Sequence, residues 1–252
     1  MEHMIITPHD GWVQITLNRP DVRNALNTAM LADLSQALTR ADGDPALRAV
    51  LIHGSDGNFA AGADITEIET KTTAQAAVDP RKAHWATIRG FSKPLIAAVD
   101  GFALGGGFEL ALMADLMVVE AGAKLGLPET NLGLIPGAGG IQRLMALAGR
   151  ARASRMVLMG EAIDGQTAYG WGIAAYVADA TAFDLAAGLA EKIARRAPLA
   201  LQTAKTALLA GGEGALAFGV ERAGFEALMD SADKAEGIAA FRAKRKPQFR
   251  GA

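Results

Sequence analysis

In Lys93-Pro94-Leu95-Ile96-Ala97-Ala98-Val99-Asp100-Gly101-Phe102-Ala103-Leu104-Gly105-Gly106-Gly107-Phe108-Glu109-Leu110, a wholly apolar run from Leu95 to Val99 meets a turn at Asp100-Gly101 and then a triple glycine. A short apolar run bounded by turn residues reads as a strand buried on both faces. The pattern after the glycines reads as a helix opening at Phe108-Glu109. Strand, tight loop and helix in succession make this segment the seed of an α/β fold.

Outward from it, Trp12 to Leu17, Ala49 to Ile52 and Leu116 to Val119 read as further strands, with turn residues at Asn18-Arg19-Pro20 and Gly54-Ser55 closing the first two. Between those two, Leu31, Leu34, Leu38 and Ala41 recur at helical spacing after Thr28, which serves as the expected N-cap. Beyond Pro198 the strand signals stop. Helices are expected over Leu199 to Leu209, Ala215 to Met229 and Lys234 to Lys244, separated by Gly211-Gly212 and Asp230-Ser231. The chain is therefore divided into a core over 1–197 and a helical region over 198–252. Leu216, Phe218, Phe225, Leu228 and Phe241 give that tail more apolar surface than three isolated helices hide, so it is expected to pack on the core or on another subunit.

Composition narrows the function. Half of the 252 residues are hydrophobic and the net charge is -2, which suits one globular α/β domain with a small extension and gives no field for nucleic acid or an anionic membrane. Cysteine is absent, which removes disulfides, thiolate nucleophiles and Cys-ligated metals; His3, His9, His53 and His84 are dispersed, so no metal site is expected. Glu2, His3, His9 and Asp10 interrupt any apolar run at the N-terminus, so neither a signal peptide nor a membrane helix is drawn and a cytoplasmic location is expected.

Three segments carry chemistry. Glycines 105–107 ahead of a helix allow close approach to the backbone, and the first helical N–H groups, unpaired within the helix, can hold an anion. The plain alternative is that they only permit tight helix packing. A phosphate loop is disfavoured because no Gly-Lys-Ser/Thr follows, and the dinucleotide fingerprint fails at Leu110 and, for Gly137-Ala138-Gly139-Gly140, at Gln142. Phe59-Ala60-Ala61-Gly62-Ala63-Asp64-Ile65 is a second source of exposed amides, or simply a tight loop with Asp64 as a cap. In Leu125-Gly126-Leu127-Pro128-Glu129-Thr130-Asn131-Leu132-Gly133-Leu134-Ile135-Pro136, Glu129 is the one acid among apolar neighbours. Burial raises the pKa of such a carboxyl toward the range where it exchanges protons near neutrality. A turn cap or structural ion pair at Glu129, and a surface acid facing the helix dipole at Glu109, are the competing readings.

Together with Leu17-Asn18-Arg19-Pro20-Asp21-Val22-Arg23-Asn24-Ala25-Leu26, these segments resemble the crotonase superfamily of enoyl-CoA hydratases and isomerases over essentially the whole chain. Ala-Gly-Ala-Asp-Ile, Gly-Gly-Gly-Phe-Glu, Leu-Pro-Glu and Pro-Gly-Ala-Gly-Gly come in family order, and Glu109 and Glu129 stand the family's twenty positions apart. The resemblance implies a spiral of ββα units in two nearly perpendicular sheets, with a C-terminal helical region that builds trimers and hexamers. It implies that the amides of Ala63 and Gly106 hold the thioester oxygen, that Glu109 activates water, and that Glu129 shares that water and delivers a proton to the α-carbon. Coenzyme A, part of the substrate rather than a separate cofactor, is expected along Val22, Arg23, Ala61, Asp64, Ile65 and Thr66, with Phe225, Phe241 and Lys244 from the tail. Arg23 and Lys244 are alternatively solvated surface charges, and the two phenylalanines alternatively core residues. An enoyl-CoA isomerase is the nearest alternative activity, disfavoured because many isomerases lack the first glutamate. An RNA-binding homologue is the more distant one, since no basic comb is present beyond Arg242 to Arg250. The contexts of Leu-Pro-Glu, Pro198 to Gln202 and Glu236 to Phe241 look most like the bacterial dehydroadipyl-CoA hydratases of phenylacetate breakdown. Leu127 departs from hydratases that carry a polar residue there.

Overall fold

Apolar residues alternate between two destinations along the central strands, and this alternation builds the layers. A computed structural model describes residues 3–211 and 215–252; Glu2 and Gly212, used above as an N-terminal charge and a helix separator, lie outside the described residues. In chain order the elements are β1 (Met4–His9), β2 (Trp12–Leu17), α1 (Thr28–Gly43), β3 (Ala49–Gly54), α2 (Thr73–Ala77), α3 (Arg81–Arg89), β4 (Leu95–Val99), β5 (Phe102–Leu104), α4 (Gly106–Ala111) and β6 (Leu116–Glu120). They continue with β7 (Lys124–Gly126), α5 (Gly140–Leu158), β8 (Ile163–Asp164), α6 (Gly165–Gly170), β9 (Tyr176–Ala178), α7 (Ala182–Ala194), α8 (Pro198–Ala210), α9 (Ala215–Ala227) and α10 (Ala232–Arg242).

The larger sheet has the order β1-β2-β3-β4-β6-β9, antiparallel only at the β1–β2 hairpin and parallel from β2 onward. Trp12, Leu51, Ile96 and Val118 face one side, where Ala182, Ala186, Ala190 and Ala194 of α7 pack on them at four-residue spacing. Small side chains on that stripe let the helix lie close to the sheet. Val13, Ile15, Val50, Ile52, Leu95, Ala97, Met117 and Val119 face the other side and enter the main core.

A smaller sheet, β5-β7-β8, stacks beside it, and single bridges extend its rows: Ala60 pairs in parallel with Ala103, and Ala63 with Leu26. Each turn of the chain thus lays a strand in the large sheet and then a row in the small one: β2 then Leu26, β3 then Ala60 to Ala63, β4 then β5, β6 then β7. This is the coil of repeated units that the resemblance implies. Its consequence for function is that the ends of successive rows are neighbours in space although they lie tens of residues apart in sequence.

Local signals shift by a residue or two from the sequence reading. Asn27, not Thr28, caps α1, its side chain accepting from the Met30 amide at 2.8 Å; Thr28 is the first helical residue. Both residue types cap well, and the extended backbone of Asn27 decides between them. α4 begins at Gly106, two residues before the expected Phe108, because packing overrides the poor helix propensity of glycine: all of Gly106 to Ala111 is buried.

The turn after β2 is locked by Asn24, which is fully buried with left-handed backbone, φ 58°. Its side-chain oxygen accepts from the Arg19 amide at 2.9 Å, and its amide nitrogen donates to Ser55 O at 3.0 Å and Asn58 O at 2.7 Å. Arg19 N–H and Asn58 O lose their partner in Asn24→Ala, and Ser55 O keeps only the Asn58 amide, which is expected to cost about 3 kcal/mol in urea unfolding; a change below about 1 kcal/mol would contradict this role.

The tail is tied to the core by polar contacts. Lys205 of α8 reaches Asp115 at 2.8 Å and Lys93 O at 2.8 Å, and Arg48 donates to Phe249 O at 2.6 Å. Four of its large apolar residues are not core residues of this chain: Leu216, Phe218, Phe225 and Phe241 are exposed, Phe241 by 86%. The reading of Phe225 and Phe241 as core side chains is corrected accordingly, because α9 and the end of α10 present them outward. Among the described residues no helix is long and apolar enough to cross a membrane.

Candidate active site

Four chemical groups sit at the ends of three adjacent rows of the small sheet. Ala63 ends the second row, Gly105 and Gly106 follow β5, and Glu129 follows β7; Glu109 rides on α4 one turn beyond Gly106. The rows are joined where they end: Gly105 N–H donates to Gly126 O at 2.9 Å, and Leu104 N–H to Ala60 O at 3.0 Å.

The Ala63 and Gly106 amides lie side by side, since a Cβ built on Gly106 would stand 3.5 Å from the Ala63 nitrogen. In the Leu26 bridge, Leu26 uses the Gly62 carbonyl and the Asp64 amide, which turns the Ala63 N–H to the opposite side. Gly106 is the first residue of α4, so its N–H has no carbonyl within the helix. Among the described residues neither amide donates a hydrogen bond, which leaves both for a ligand oxygen. Gly107 is required for the approach of the two rows, because a Cβ there would fall 2.2 Å from Ala60 O. The tight-packing and open-amide readings of the triple glycine are therefore both true, at different glycines.

Glu109 is buried and not a surface acid, being 4% exposed. Its Oε1 accepts from the Ala138 amide at 2.7 Å and the Gly140 amide at 2.9 Å, which fixes the carboxyl and leaves Oε2 to other partners. Gly140 is pressed against it: a Cβ there would lie 2.8 Å from Glu109 Cγ and 3.3 Å from Leu127 Cδ1. Leu127 thus forms the apolar wall beside Glu109, where a polar residue would offer a competing hydrogen bond.

Glu129 forms no ion pair among the described residues, and its Oε2 is buried without a hydrogen-bond partner. Burial pushes its pKa up to about 7, and the nearby Glu109 carboxyl adds to the rise. Its Oε1 lies over the backbone of Gly105, 3.1 Å from where a Cβ would be. A carboxyl of this kind, poised near neutrality beside a second acid, suits proton exchange with a bound substrate. Among the described residues no three His, Asp or Glu side chains gather as a metal site would require.

Of the other candidates, Arg23 and Ala61 are brought together by the Ala61 N–H to Arg23 O bond at 2.9 Å, with the Arg23 guanidinium 5.2 Å over the Phe102 ring. Val22 and Ile65 are exposed next to them. Asp64 caps the turn through Thr66 and pairs with Arg19 at 2.9 Å; the Thr66 hydroxyl and that guanidinium hold its carboxyl below the usual range. Its side chain is thereby occupied, and its backbone remains for a ligand. Phe225, Phe241 and Lys244 are exposed on the tail and are not brought against the glutamates by any hydrogen bond or ion pair among the described residues. Sequence reasoning missed the donors to Glu109; the Pro-Gly-Ala-Gly-Gly segment that supplies them was visible as a glycine-rich loop in family order, not as a partner of that carboxyl.

A family model described as enoyl-CoA hydratase/isomerase matches residues 8–252. The chain belongs to this family. A 2,3-dehydroadipyl-CoA hydratase of Escherichia coli is 46% identical over 255 residues, covering 100% of both chains. A probable enoyl-CoA hydratase of Rhizobium meliloti is 42% identical, over 94% of this chain and 93% of that one. Among solved structures, an enoyl-CoA hydratase subunit from Geobacillus kaustophilus superposes with TM-score 0.94 at 38% identity, covering 99% of this chain and 98% of that one. The crotonase resemblance, the α/β spiral and the assignment as an enzyme of the hydratase kind stand on these matches. The family acts on acyl-CoA thioesters, so the open amides beside two glutamates are the place in this member to look for its chemistry.

Proposed function

We propose that this enzyme adds water across the trans-2 double bond of an enoyl-CoA thioester, with Glu109 as its catalytic base, Glu129 as its catalytic acid and the Ala63 and Gly106 amides as its oxyanion hole. One observation carries the reading: two unspent amides and a carboxyl with pKa about 7 converge beside a second carboxyl already held by backbone donors. Glu109 takes a proton from water as the water oxygen bonds to the β-carbon. The electrons of the double bond move to the thioester oxygen, where the two N–H groups stabilise the enolate. Glu129 then gives its proton to the α-carbon, and proton exchange from Glu109 to Glu129 restores the starting state.

Coenzyme A is proposed along the Val22, Arg23, Ala61, Asp64, Ile65 and Thr66 segment, with Asp64 contributing its backbone and with no separate cofactor. The tail helices are proposed to make the subunit contacts of a trimer or hexamer, which the exposed Phe218, Phe225 and Phe241 favour, and to bring Phe225, Phe241 and Lys244 to the CoA site of a neighbouring copy. The first acyl substrate to try is a dicarboxylic enoyl-CoA, by likeness to the 2,3-dehydroadipyl-CoA hydratase.

With a trans-2-enoyl-CoA, the expected product is the 3-hydroxyacyl-CoA. Only a double-bond shift from a 3-enoyl substrate would turn the reading to isomerase. The pH profile follows from the pair. Hydration starts with the proton on Glu129, whose pKa is about 7, so kcat/KM is expected to fall about tenfold per pH unit above that value. Dehydration is expected to fall in parallel, since the reaction consumes no net proton and both directions use the singly protonated pair. A rate that climbs between pH 7 and 9 would contradict this.

A further inference from the structure

The loop leading into α5 has two sides. Its Ala138 and Gly140 amides turn inward to Glu109, while the Arg143 guanidinium donates to the Ala138 carbonyl at 3.3 Å and to the Gly139 carbonyl at 3.4 Å, the latter also accepting from the Arg143 backbone N–H at 3.2 Å. One peptide group, Gly139 C=O with Gly140 N–H, therefore spans from Arg143 at its oxygen to Glu109 at its nitrogen, its dipole aligned between cation and carboxylate. Gly139 makes this contact possible: its φ is 98°, and a Cβ would sit 2.6 Å from Arg143 Nη1. Arg143 is half-buried and in no ion pair among the described residues. Burial and the neighbouring Arg89 draw its pKa down, and Glu109 draws it up, so across this loop Glu109 is the acid that compensates it.

We infer that Arg143 is a positioning residue for hydration: it holds the carbonyl side of the 138–140 loop so that the amide side fixes Glu109 with one oxygen free for water. This rests on the reading of Glu109 as the group that activates water. The charged and titratable groups bearing on it are Glu109, Arg89 and, beyond Glu109, Glu129. Because Arg143 acts through Glu109, its effect vanishes when Glu109 cannot act as a base.

The test is a double-mutant cycle in the full-length enzyme, with kcat, KM and melting temperature measured for each variant. Arg143→Met is expected to lower kcat about thirtyfold with KM within about twofold, and Arg143→Lys, which keeps the charge, to lower it about fivefold. In the Glu109→Gln background both substitutions are expected to change the residual kcat by less than about twofold. Should Arg143→Met fail to fold, Arg143→Lys completes the same cycle. A loss that persists in full in the Glu109→Gln background, or a rise in KM at unchanged kcat, overturns the inference. Wild-type kcat in Glu109→Gln alone would instead overturn the reading of Glu109 beneath it.

Discussion

Glu129→Gln is expected to lower kcat about a thousandfold, the scale of a lost general acid, while a CoA thioester binds within about threefold of its normal affinity. The side chain keeps its shape and loses only the proton it exchanges. The same substitution is expected to leave the fold as stable or more so. Burial raises the folded pKa from 4.5 to about 7, so the folded state prefers the protonated form. That preference is fully present below pH 4.5, is lost as pH rises toward 7, and leaves the wild type with a buried charge above it. Glutamine carries no such charge, so at pH 8 the variant is expected to melt no lower than the wild type. Loss of turnover together with a gain or hold in melting temperature separates a catalytic acid from a structural one. Turnover near the wild-type rate, or a melting temperature far below it, would contradict the assignment.

Replacing the Ala63 amide by an ester, with lactic acid incorporated at that position, is expected to cut kcat about a hundred- to thousandfold, the cost of one oxyanion donor. The change removes one N–H and no side-chain atom, and weakens only the Gly62 carbonyl as the acceptor of the Leu26 amide. Because that N–H forms no bond in the free protein among the described residues, the fold does not depend on it, and the loss belongs to the transition state. An ester at Ala175, whose N–H is spent on Met117 O at 2.9 Å away from the proposed site, is the control: it is expected to lower stability and spare kcat. Equal effects at the two positions would contradict the assignment of Ala63 as a donor.

The sequence exposed the parts of this fold that are long and apolar. Trp12 to Leu17 and Leu95 to Val99 were readable as strands because nearly every residue in them is buried. β1 was not, because it is an edge strand whose Ile5 and Ile6 face out and whose Pro8 argues against a strand. β5 and β7 are three residues each, too short for any periodicity, and exist because successive turns of the coil place them side by side. Glu129 was legible as an acid in apolar company, and Glu109 only through the resemblance. Their supports were not: Ala138 and Gly140 act through backbone amides, which no side-chain pattern records, and Arg143 stands among other arginines of α5 that look the same in sequence.

The claim on which the rest depends is that both carboxyls and both amides meet one substrate. A crystal structure of the enzyme with a bound 3-hydroxyacyl-CoA measures this directly. The thioester oxygen is expected within about 3.2 Å of Ala63 N and Gly106 N, and the 3-hydroxyl within the same reach of Glu109 and Glu129. A thioester seated elsewhere, or a hydroxyl reached by neither glutamate, would contradict the account.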